Sequence, residues 1–187
     1  GFGKASDTWP AGAQAFRYIP FQFIRIRRNE FFSGNQEFAA IRPMDGNILA
    51  SGESILRLLP QRPPMIMVDT LFSAGSDSAE TGLAVSEDNV FCLDGCLIEP
   101  GIIEHSAQSA AAFSGYRYFE AGEEPRIGLI GEIRNFRIER LPRTGECIRT
   151  RVRLLGEAFG MSLVETESFI DGVRIAGGQI KIFIKED

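Results

Sequence analysis

The sequence predicts an α+β domain in which an antiparallel sheet wraps around one long central helix. Three observations lead there. One stretch, running from about Pro100 to Tyr118, reads as a helix built almost wholly of small and apolar residues. Four strand-like runs follow it with no helix between them and only short turns separating them. Such runs pair as hairpins and make an antiparallel sheet rather than a doubly wound one. Finally, a helix rich in Ala, Ser and Gly on several faces has little bulk of its own to bury, so a sheet must close tightly around it.

Each element has a local reason. In "SGESILRLLP", Ser51 or Ser54 can cap a short helix carrying Ile55, Leu56, Leu58 and Leu59, and Pro60 ends it. "QRPPMIMVDTLFSAG" reads as a turn into a buried strand from Met65 to Phe72, with the next turn starting at Gly75. "SAETGLAVS" alternates as a half-exposed strand, and "EDNVFCLDGCLIEPG" reads as an irregular loop. Pro100 suits the first turn of the helix because its missing N–H costs no bond there, and Glu99 favours the positive helix end. Gly122 and Pro125 close the helix. The four runs after it are "RIGLIGEIRNFRIER", "ECIRTRVRLLGEA", "MSLVETESFI" and "VRIAGGQIKIFI". The last two are joined by the hairpin turn Asp171-Gly172.

The chain has 187 residues, 44% of them hydrophobic, which suits one ordinary domain with a proper core. The first methionine, Met44, stands just before regular patterning begins. The expected organisation is therefore an N-terminal extension over 1–43 (a tag, an upstream extension or an arm) and a domain over 44–187. Within the extension, Tyr18–Arg28 has strand-like composition and is assigned no function. A net charge of −5 with no long basic face argues against nucleic-acid binding. The apolar runs are too short for a membrane span. Cys92, Cys96 and Cys147 form no disulfide framework, and no secretory pattern is visible, so the expected location is cytoplasmic.

Candidate chemistry gathers in "GIIEHSAQSAAAFSGY". An ionised carboxylate inside an apolar helix is expensive unless it is paired or functional, which singles out Glu104. The competing reading is that Glu104 pairs with an arginine or binds a backbone group. His105 is the only histidine in the chain. It follows Glu104 directly, so the two side chains point about 100° apart and do not face one substrate atom. Glu104 shares a face with Gln108, and His105 with Ser109 and Ala112. His105 is either a core histidine with both nitrogens satisfied or a base. Gln108 either orients its neighbours or bonds the backbone. Cys92 and Cys96 with His105 have only a generic metal-ligand spacing and no obvious fourth ligand, so no metal is expected. Cys92 as a nucleophile lacks a visible base, and reads better as a small buried hydrophobe. The arginines from Arg134 to Arg153, and Arg62, are ordinary surface positions or contacts for an acidic partner.

Three stretches in order carry a resemblance. "LLPQRPPMIMVDTL" resembles the opening motif of the 3-hydroxyacyl-[acyl carrier protein] dehydratases. "EHSAQSAA" resembles their central-helix Glu-x-x-Ala-Gln, and "IGLIGEIRNFRIERLPRTGECIRTRVRLL" their strand, Pro-x-x-Gly-Asp/Glu turn and strand. The likeness covers about residues 52–184 and is closest to the dehydratase-like hotdog proteins of aryl-polyene-type lipid clusters. It implies a hotdog fold, no cofactor, and an acyl carrier protein bearing a phosphopantetheine-linked acyl chain as partner. It implies Glu104 as the acid/base group and the backbone of Pro100, Gly101 and Ile102 as oxyanion donors. The family's loop histidine has no counterpart. Its place falls at Cys92 when aligned from Pro100-Gly101, and at Asp94 or Gly95 when aligned from Glu104. A lone hotdog domain leaves one sheet edge and one side of its helix open, so a homodimer or heterodimer with a continuous sheet is expected. Three activities fit: dehydration by this chain alone, a non-catalytic role beside a histidine-bearing homologue, or thioester hydrolysis.

Overall fold

The computed structural model describes residues 48–185. The expected extension over 1–43, its strand-like stretch Tyr18–Arg28 and Met44 lie outside the described residues. The elements are β1 (Ala50–Ser51), a 3₁₀ turn (Gly52–Arg57), β2 (Thr70–Ala74), β3 (Ser78–Ala84), β4 (Cys92–Leu93) and β5 (Cys96–Leu97). The helix α1 (Glu99–Glu120) follows, then β6 (Gly128–Ile138), β7 (Cys147–Ala158), β8 (Met161–Ile170) and β9 (Val173–Ile184). Among the described residues, seven strands form one antiparallel sheet in the order β1-β2-β3-β7-β8-β9-β6, and β4 pairs only with β5.

The sheet wraps α1 because its strands alternate. Along β8 every second residue is buried, so Ser162, Val164, Thr166, Ser168 and Ile170 face inward. Glu165 and Glu167 point outward, where Glu165 meets Arg153 at 2.6 Å directly across the ladder and Glu167 meets Arg174 at 3.2 Å. Two apolar clusters surround the helix. Phe113, Ala110 and Ala112 pack with Ile55, Leu59, Leu71, Val152 and Ile180, while Ile102 packs with Met67, Leu83, Leu97 and Ile148. The small helix residues set how closely the other elements approach. A Cβ at Gly115 would lie 2.0 Å from the Leu58 carbonyl oxygen, and one at Gly101 2.6 Å from Phe91 Cβ. No described helix is long and apolar enough to cross a membrane.

Three local expectations need correction. The first is that the strand read from Met65 to Phe72 starts only at Thr70. Upstream of it, side chains of α1 take the place of a ladder partner. Secondly, the region read as an irregular loop contains the hairpin β4–β5, turned through Asp94 and Gly95 at φ 51° and 73°. This hairpin is docked on the β6–β7 connection: Leu97 N–H donates to Pro142 O at 2.8 Å, and Thr144 N–H to Gly95 O at 2.9 Å. Thirdly, α1 runs one residue further at its start and two further at its end than the sequence suggests. At the far end of the sheet, β6 pairs with β9 on one side only among the described residues, and its outer edge, along a run that includes the exposed Leu129 and Ile130, has no described strand beside it.

Candidate active site

Glu104 and Gln108 lie one helical turn apart, as their spacing requires. Glu104 is half-buried and Gln108 fully buried. Both N–H groups and the oxygen of the Gln108 amide have partners. Its Nε2 donates to Glu104 Oε1 at 2.8 Å and to Met65 O at 2.6 Å, and its Oε1 accepts from Met67 N–H at 2.7 Å. Gln108 thus bonds the Met65–Met67 backbone as a neighbouring strand would, and orients one carboxylate oxygen as well. No arginine or lysine pairs with Glu104 among the described residues.

His105 points elsewhere. Its ring has no exposed surface, with Nδ1 2.6 Å from Met67 O and Nε2 2.7 Å from Thr150 Oγ1. A carbonyl can only accept, so Nδ1 carries the proton and Nε2 accepts from the Thr150 hydroxyl. Thr150 Oγ1 in turn lies 2.7 Å from Ser168 Oγ, which leaves Ser168 as its donor. Burial pushes the imidazole down to about 4, partly opposed by the Met67 carbonyl and the charge of Asp69. The ring is neutral near pH 7, and both its nitrogens are taken.

The other sequence candidates are scattered. Cys92 is half-buried with Sγ 3.4 Å from Thr144 Oγ1. Cys92 faces Leu97 across the hairpin and Cys96 faces Leu93, so the two thiols sit on opposite faces and share no ligand position. Among the described residues no three His, Cys, Asp or Glu side chains group to hold a metal ion. Asp94 and Gly95 are exposed at the hairpin tip. The expected oxyanion donors need revision. Pro100 has no N–H to give, and the N–H groups of Gly101 and Ile102 turn back to Ile98 O at 2.9 and 3.2 Å. Arg62 binds the carbonyls of Leu59 and Gln61 at 2.8 and 2.7 Å.

The structure brings together residues that the sequence left unconnected. Met65 and Met67 contribute backbone groups to Gln108 and His105, and Thr150 and Ser168 contribute hydroxyls. They lie 18 to 45 residues from the groups they bond, and no local pattern marks them. Asp69, the acid of the opening motif, accepts from Ala84 N–H at 2.6 Å and from the Thr70 hydroxyl at 2.8 Å, tying β2 to β3. Two surface depressions, of about 460 and 520 Å³, have other linings. The first lies between the 3₁₀ turn and the end of α1, beside Arg57, Arg62 and Phe119. The second lies over β2, β3 and β7, beside Phe72, Cys147 and Arg149. Glu104 borders neither.

An antiparallel sheet curled around one central helix is the hotdog fold, and comparison places the chain among the dehydratase-like proteins that use it. It belongs to the ApeP-like family, whose model, ApeP dehydratase, matches residues 53–187. Among solved structures, the dehydratase heterocomplex ApeI:P from Xenorhabdus doucetiae superposes with a TM-score of 0.67 at 22% identity, over 71% of this chain and 91% of that chain. The HP0420 homologue from Helicobacter felis gives 0.54 at 16% identity, over 70% and 88%. PH1136 from Pyrococcus horikoshii gives 0.54 at 13% identity, over 74% and 97%. At these identities the likeness is one of fold. No curated protein sequence matches.

Proposed function

We propose that this chain takes part in dehydrating 3-hydroxyacyl thioesters carried by an acyl carrier protein, as the glutamate-bearing partner of a second hotdog subunit that supplies the missing histidine. The observation that carries this reading is the Glu104–Gln108 pair. A half-buried carboxylate on the central helix is aimed by an amide at 2.8 Å, while the chain's own imidazole is bonded away from it. The likeness to a dehydratase heterocomplex supports the second subunit. So does the open edge of β6, where exposed Leu129 and Ile130 suit the addition of a partner strand and a continuous sheet.

The chemistry needs no redox step. A base on the partner takes a proton from C2, that electron pair forms the C2=C3 bond, and the C3–O bond breaks. Glu104, as the general acid, gives a proton to the departing hydroxyl, which leaves as water. The carboxylate then regains a proton as the partner base loses the one taken from C2. The acyl-pantetheine chain would lie in a channel at the seam between the two subunits.

Mass spectrometry of a carrier protein loaded with a 3-hydroxyacyl chain tests this. The chain is assayed alone, with a histidine-bearing homologue, and as Glu104→Gln in both settings. Loss of one water from the thioester is expected only with the pair, and not with Glu104→Gln. Release of free acid would make the protein a thioesterase instead, and equal turnover by Glu104→Gln would remove the carboxylate from the mechanism.

A further inference from the structure

We propose that His105 is a positioning residue: it fixes Glu104 indirectly, by holding the carbonyl of Met67 while Gln108 holds that same residue's N–H. The inference rests on the reading of Glu104 as the reacting acid and deepens it.

The geometry forms a closed chain of restraints. Met67 is gripped on both sides, its N–H by Gln108 Oε1 at 2.7 Å and its C=O by His105 Nδ1 at 2.6 Å. Gln108 has no spare donor, because one N–H serves Met65 O and the other Glu104 Oε1. A shift of the Met65–Met67 segment therefore pulls on the amide that aims the carboxylate. That segment precedes the first ladder residue of β2, Thr70, so helix side chains take the place of strand pairing there. His105 is itself registered to the sheet, through Thr150 on β7 and Ser168 on β8. The link from the imidazole to Glu104 runs through a peptide group and an amide. It transmits position and offers no route for a proton.

A residue that only filled space would need no hydrogen bonds, and leucine would serve. Two variants separate the roles. In His105→Asn the side-chain N–H falls where the Nδ1–H of the imidazole stands, so the grip on Met67 survives while the bond to Thr150 is lost. His105→Leu fills the space and offers no donor. Should it not fold, His105→Met serves as the apolar replacement.

The first readout is NMR of the Glu104 carboxyl carbon and the Gln108 side-chain amide in the folded chain. The second is kcat and KM for water loss in the presence of the histidine-bearing subunit. The leucine variant is expected to shift both signals and to lower kcat roughly 10- to 100-fold with KM within about two-fold, the scale of an ångström misplacement. The asparagine variant is expected to restore both signals and most of kcat, although it too loses stability. The proposal is overturned if the leucine variant leaves both signals at their wild-type positions. It is equally overturned if the two variants lose kcat alike, in proportion to lost stability. Glu104→Gln keeps the two ideas apart: full turnover by that variant would end the reading of the reaction, and the NMR comparison would still decide the geometry.

Discussion

Acidification should loosen this fold through His105, and the size of the effect follows from its burial. The folded chain holds the imidazole near 4, against 6.5 when the chain is unfolded and the ring hydrated. Below 6.5 the unfolded state binds a proton that the folded state refuses. Stability is therefore fully present above about pH 6.5, falls as the pH drops from there towards 4, and levels off below 4. A gap of about 2.5 units at about 1.4 kcal/mol per unit amounts to about 3 kcal/mol, of which about 2 is already lost at pH 5. That is a large part of the 5–15 kcal/mol, roughly, of a typical domain. Carboxylates complicate a raw titration. Glu146, for example, is held low by its bonds to the Arg140 side chain and the Arg143 N–H, and its contribution is also lost in acid. Urea unfolding of wild type and His105→Asn across the same pH range removes this common part by subtraction. The difference in unfolding free energy should rise by about 3 kcal/mol from pH 4 to pH 7. A flat difference would mean that the ring is charged or hydrated in the folded protein, and the argument from burial would fail.

Two further outcomes depend on packing and on the open edge. Gly115→Ala drives a methyl into the backbone oxygen of Leu58, 2.0 Å away, and should cost about 1–3 kcal/mol by thermal or urea unfolding. Gly156→Ala, with open space around its Cβ, should stay within about 0.5 kcal/mol. Leu129→Lys, placing a charge on the exposed end of β6, should weaken association with the second subunit at least about tenfold in sedimentation or light scattering and leave the folded chain as stable as before.

The long strands after the helix were legible because their patterns are local and extended. β8 spans ten residues, and the Asp171-Gly172 turn signal that closes it takes up positive φ at both positions. The same dipeptide at Asp94-Gly95 makes the same kind of turn, yet reads as loop. Its flanking strands are two residues each, too short for alternation to register, and they are stabilised by the distant Pro142–Thr144 turn. Met65–Asp69 shows the opposite error. Its apolar run looks like a strand, but hydrophobicity reports burial and not what pairs with the backbone. Here much of that pairing comes from Gln108 and His105, 38 to 43 residues away.

The site was half legible for a related reason. A carboxylate inside a helix of small residues stands out from its own surroundings, because the cost of burying it does not depend on knowing the neighbours. The helical angle between consecutive residues also separates His105 from Glu104 in the sequence itself. The purpose of the imidazole was not legible, because histidine is defined here by two groups on other elements. Met67 presents an acceptor on one side of the core and Thr150 a donor on the other. Neutral imidazole donates from one ring atom and accepts at another, and so closes both gaps at once. An aliphatic residue would take the donor from the Met67 carbonyl, at about 1–3 kcal/mol, and leave the Thr150 hydroxyl with Ser168 as its partner. Read alone, Glu104-His105 suggests an acid beside a base. Read against the sheet, one side chain answers to the helix face that carries Gln108, and the other to the strands behind it.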